Sequence, residues 1–87
     1  MTNIYIYCVF EKDQQLHGVY SSIKAAHRDA IKLCNKGNTS VYIRHEGQSI
    51  VPTIRMLRNI FKGALDIKVK YASNSMSATV LKTKLRE

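Results

Sequence analysis

The chain has 87 residues, with 14 Lys and Arg against 6 Asp and Glu, a net charge of +8 and a pI near 9.8. Its hydrophobic residues, 45% of the total, are spread along the whole length, which makes one small domain with a modest core (1–87) and excludes global disorder. No apolar run approaches the roughly 20 residues of a membrane span, and MTNIYIYCVF lacks the marks of a secretory leader, so a cytoplasmic protein is expected.

The N-terminal stretch alternates instead. In NIYIYCVFE (3–11), Ile4, Ile6, Cys8 and Phe10 fall on one side of a strand and Tyr5, Tyr7 and Val9 on the other. KDQQ (12–15) is a polar turn, and Leu16 to Tyr20 returns as a second strand of a hairpin. Ser21 or Ser22 then caps a helix over 22–35, with Gly37 as its left-handed stop. At helical spacing Ile23, Ala26, Ala30, Leu33 and Cys34 share one face, while Lys24, Arg28, Lys32 and Lys36 step by four along the opposite one. Like charges in such a row repel by about 0.2–0.5 kcal/mol per neighbouring pair. Only Asp29 lies close enough in sequence to offset them.

SVYIRH (40–45) predicts a third strand, with Val41 and Ile43 opposed to Tyr42 and Arg44. Glu46-Gly47 signals a turn, and 48–51 reads as a short strand or the approach to a helix. Pro52 suits a helix's first turn. Ile54, Leu57, Ile60 and Phe61 form the apolar stripe of that second helix, which Gly63 stops and whose other side carries Arg55, Arg58 and Lys62. LDIKVKY (65–71) alternates again, ASNS (72–75) is a turn, and 76–85 makes a last strand.

This order predicts an α+β two-layer sandwich, a mostly antiparallel sheet with both helices on one face. The helices are expected to cover Ile4, Ile6, Cys8, Phe10, Val41, Ile43, Ile67 and Val69. The far face would then gather Tyr5, Tyr7, Tyr42, Arg44, Lys68 and Lys70 as a second binding surface or a homodimer face.

The motifs of common chemistries are absent. No phosphate-binding glycine loop, nucleophile elbow or metal-ligand spacing occurs, so no cofactor, metal or catalytic residue is expected. Cys8 and Cys34 read as core thiols rather than a disulfide framework. His17, His27 and His45 stand at no defined spacing from a second catalytic group. A small metal-independent ribonuclease, built on His27 or His45 beside a cation, is therefore the weaker alternative.

The charge is unevenly placed: residues 1–22 carry a net −1 and residues 23–87 a net +9. Such a field attracts nucleic acid before an acidic protein or an anionic lipid surface. The candidate nucleic-acid-binding residues are Lys24, Arg28, Lys32, Lys36, Arg55, Arg58 and Lys62. About five to eight phosphate contacts would give a log–log salt slope of roughly −4 to −7. RNA is favoured over DNA, because no helix-turn-helix pair is present, although the aromatic signature of an RNA-recognition motif is missing too. A pure protein–protein inhibitor of a host enzyme is the other alternative.

The run HGVYSSIKAAHRDAIKLCNKG (17–37) resembles small accessory proteins of large tailed phages. Size, charge and layout resemble the toxIN inhibitory factor family of T-even-like phages. That resemblance covers the first half of the chain and carries no site residues. It implies an RNA-binding counter-defence protein, acting in the cytoplasm of an infected bacterium against the toxin endoribonuclease of a type III toxin–antitoxin system.

Overall fold

Alternating segments and two apolar-striped helices assemble in the order ββαββαββ. A computed structural model describes residues 4–35, 40–63, 65–74 and 76–85. Its elements are β1 (Tyr5–Phe10), β2 (Leu16–Tyr20), α1 (Ile23–Cys34), β3 (Tyr42–His45), β4 (Gln48–Ile50), α2 (Ile54–Phe61), β5 (Ile67–Ala72) and β6 (Ser77–Lys84). All six strands join one sheet in the order β2-β1-β6-β5-β3-β4, and every neighbouring pair is antiparallel. With both helices against one face, this is the two-layer α+β architecture that the patterning predicts.

Local chemistry accounts for most boundaries. Ser22 caps α1, its Oγ accepting from the Ala25 N–H at 3.2 Å. Glu46 and Gly47 both have positive φ (52° and 79°), the geometry of a tight primed hairpin turn between β3 and β4. Gly63, at φ +69°, follows the end of α2. Pro52 lies two residues before the first residue of α2, buried, rather than in its first turn, and Thr53 makes the cap by accepting from the Met56 N–H at 3.2 Å. Gly37, the expected stop of α1, lies outside the described residues.

Strand directions orient the helices. Because β2 and β3 run the same way, as do β4 and β5, α1 and α2 cross the sheet in opposite directions. The start of α1 therefore meets the end of α2.

The core corrects one expectation. Val41, Ile43, Ile67 and Val69 do pack with the helices, but β1 turns its other side to them. Val9 is fully buried and Tyr7 packs against Phe61 of α2, ring centroids 5.7 Å apart and edge to face. Ile4, Ile6, Cys8 and Phe10 lie on the uncovered face. Register explains this: Val9 is opposite Val80 and Tyr7 opposite Lys82, so β1 must present the same side as the Ala78–Val80 side of β6. Space explains it further. Beyond Ile23 at its start, the buried residues of α1 are small (Ala26, Ala30, Cys34), and planar tyrosine rings fill the volume beside them.

Two of those rings place their hydroxyls on partners in α1. Tyr20 donates to Asp29 Oδ2 at 2.6 Å, and burial together with that carboxylate pushes its phenol up to about 12. Tyr71, fully buried, shares a 2.8 Å hydrogen bond with His27 Nδ1 on α1. Burial holds the His27 imidazole below its ordinary 6.5.

Two outcomes follow. Val9→Asp should prevent folding, whereas Val19→Asp, on the open face at 52% exposure, should leave a cooperative urea transition; the reverse pattern would refute the assigned sheet faces. The unfolded chain binds a proton at His27 more readily than the fold does, so stability should fall as pH drops below about 6.5. Comparing urea midpoints at neutral and mildly acidic pH, His27→Gln should flatten that fall; an unaltered pH dependence would count against a buried neutral imidazole.

Candidate nucleic-acid interface

The positive row of α1 is a geometric consequence of its core stripe. With Ile23, Ala26, Ala30 and Cys34 held against the sheet, Lys24, Arg28 and Lys32 are exposed, one turn apart or about 6 Å. Arg28 Nε lies 3.5 Å from Asp29 Oδ1, while Lys24 and Lys32 form no ion pair with any described residue. Asp29 is itself committed. The Tyr20 hydroxyl, ahead of Arg28 and Lys32, holds its carboxyl below the usual range.

Two clefts line the seam between the helices. One, of about 460 Å³, is bordered by Lys24, His27, Arg28, Ile31 and Lys32 of α1 and by Ile54 of α2. The other, of about 410 Å³, lies where α1 begins and α2 ends. Lys24, Arg58 and Lys62 border it, with Ser21, Ser22 and Ile23 along one side and Tyr7, Phe61 and Lys82 along the other. Lys24 belongs to both, so the clefts adjoin. Arg58 approaches Tyr7 closely enough for its charge to oppose the upward push of burial on that phenol.

Five of the seven candidate residues thus share one surface: Lys24, Arg28, Lys32, Arg58 and Lys62. Arg55 is exposed on α2 but borders neither cleft. Lys36 lies outside the described residues.

Lys82 is the residue that sequence reasoning missed. It donates from Nζ to the Phe61 carbonyl at 2.7 Å and sits 4.8 Å over the Tyr5 ring. Its role is to cap the carbonyl end of α2, where the helix dipole favours a cation. A lysine in phase with Ala78 and Val80 was the available signal.

The second surface is only partly assembled. Tyr42, Arg44 and Lys70 border a hollow of about 330 Å³ on the open face, and Lys68 is exposed on that side. Tyr5 and Tyr7 are not there; both face the helix layer, as the contacts to Lys82 and Phe61 require. The rest of the open face mixes Ile6, Cys8, Phe10, Val19 and Leu81 with Thr79 and Thr83. A stacking platform for unpaired bases would therefore rest on Tyr42 alone among these tyrosines.

The remaining chemistry is quiet. His17 lies 3.3 Å from Glu11 and His45 3.7 Å from Glu46, and neither borders a basic cleft. His27 borders the seam with its Nδ1 engaged by Tyr71. Cys34 is buried, Cys8 half-buried, and both thiols are free. Among the described residues no three His, Cys, Asp or Glu come together as metal ligands, and no helix is long and apolar enough to cross a membrane. In comparisons with known proteins, no family model, curated protein or solved structure matches the chain.

Proposed function

We propose that the protein binds RNA without cleaving it, laying the sugar–phosphate backbone along the seam between α1 and α2. One observation carries this reading: Lys24, Arg28, Lys32, Arg58 and Lys62 border two adjoining clefts, and the Arg28–Asp29 contact is the sole ion pair any of them makes among the described residues. Cations without carboxylate partners release counterions when phosphates replace the surrounding salt.

The shape favours a single strand over a duplex. A reading helix projects as a ridge into the major groove, whereas these cations flank a trough between two packed helices. A trough takes one backbone. The biological role is the one implied by the resemblance to the toxIN inhibitory factor family: binding RNA, the protein blunts a host toxin endoribonuclease.

Five phosphate contacts on a single strand correspond to a log–log salt slope of about −3.5. Replacing Lys24, Arg28 and Lys32 together by Glu should preserve the circular dichroism spectrum and remove RNA binding at physiological salt. Undiminished binding by that variant would reject the seam. Purification without nuclease should yield protein carrying absorbance at 260 nm; a preparation free of nucleic acid from the outset would favour a protein partner instead.

A further inference from the structure

The two clefts of the seam differ in how their cations are supplied and partnered. Along α1, Lys24, Arg28 and Lys32 come from a single helix one turn apart, and Arg28 is engaged by Asp29. Where α1 begins and α2 ends, Lys24, Arg58 and Lys62 converge from two helices on one cleft of about 410 Å³, and none of the three has a carboxylate partner among the described residues. The inner wall is preorganised. The Tyr7 and Phe61 rings meet edge to face, and Lys82, fixed on the Phe61 carbonyl, holds the end of α2 in place.

An internal phosphodiester carries one negative charge and is tethered on both sides. A terminal phosphate monoester carries about −1.5 to −2 at neutral pH and offers three acceptor oxygens. Three converging cations exceed what a diester neutralises and suit a monoester, and both Lys and Arg bind phosphate well. The trough also stops here, because α2 gives way to the turn at Gly63. A strand lying along the seam therefore ends or leaves the surface at this point.

We propose that the cleft bordered by Lys24, Arg58 and Lys62 holds the terminal phosphate of the bound RNA strand. This inference rests on the RNA reading above and adds polarity to it: the strand is gripped at one end and tracked from there past Arg28 and Lys32.

The test uses the full chain and one short single-stranded RNA sequence in three forms: 5′-phosphorylated, 3′-phosphorylated, and with hydroxyls at both ends. Affinities are read by fluorescence anisotropy at fixed salt. One phosphorylated form should bind about tenfold tighter than the hydroxyl form, the scale of one additional charge-assisted contact, and which form does so identifies the end. The ratio of the two affinities is the diagnostic quantity. Arg58→Gln with Lys62→Gln should bring that ratio close to one, whatever loss both RNAs share. Arg28→Gln with Lys32→Gln should weaken both RNAs alike and leave the ratio standing. Equal binding of all three forms by the unaltered protein would overturn the terminal-phosphate site while leaving the seam intact, and so would a preference that survives the Arg58 and Lys62 changes. Binding of none of them would overturn the RNA reading and the site together.

Discussion

The structure depends on a close approach between small residues. α1 lies chiefly over β6, the strand between β1 and β5, and the buried residues there are small or narrow: Ala26, Ala30 and Cys34 on the helix, Ala78 and Val80 on the strand. Small side chains let a helix sit low on a sheet, and packing at crystal-like density then dictates what fills the flanks. The fill is aromatic and tethered. Tyr7 meets Phe61, Tyr20 reaches Asp29, and Tyr71 reaches His27, so each ring adds apolar burial and two of the hydroxyls tie the helix to the sheet. Enlarging Ala26 or Ala30 would lift α1 and break those tethers together.

The same contact produces the charged surface. Once the narrow stripe of α1 is fixed downward, Lys24, Arg28 and Lys32 have nowhere to go but the outer side, and α2, lying antiparallel beside it, brings Arg58 and Lys62 to the start of that row. The magnitudes show that stability did not ask for this. Two neighbouring like-charge pairs along α1 cost about 0.2–0.5 kcal/mol each. Burying a side chain such as Leu57 contributes about 1.5–3 kcal/mol, so the core outweighs the repulsion easily. The fold tolerates the row without being helped by it, and a ligand of opposite sign is the simplest physical use for charges held in that position.

How much of this was legible in the chain follows from which physical rule set each feature. The apolar stripes and most helix ends obey local periodicity and chemistry, so a serine cap at Ser21 or Ser22, the stop at Gly63 and the stripe from Ile23 to Cys34 could be read directly, whereas the cap of α2 at Thr53 was not. The side of β1 that turns inward obeys register with β6, a strand some seventy residues away in sequence. Hydropathy pointed the wrong way, because Ile outranks Tyr on water-to-alkane transfer while Tyr brings the larger ring to a gap beside alanines. The error on β1 moved Tyr5 and Tyr7 across the sheet and with them two of the three tyrosines of the expected second surface. Lys82 escaped for a related reason: a lysine within an inward phase acts through a backbone carbonyl of another element, which periodicity cannot show.

The two faces of the sheet are thereby separated in chemistry. The helix side offers a trough with cations on both helices and an aromatic wall at one end. The open side carries a largely apolar half around Ile6, Cys8 and Phe10, with Thr79 and Thr83 beside them, and a basic half around Arg44, Lys68 and Lys70. A polyanion gains little from apolar strands, and its phosphates must be desolvated against them at a cost. On the seam its phosphates can stay partly hydrated while meeting one cation per turn of α1. On the RNA reading proposed above, the placement of Tyr5 and Tyr7 on the helix side weighs towards the seam. It takes Tyr5 and Tyr7 from the open face, where Tyr42 and Phe10 remain, and the proposed reading accordingly gives the backbone of a single strand to the inter-helix trough.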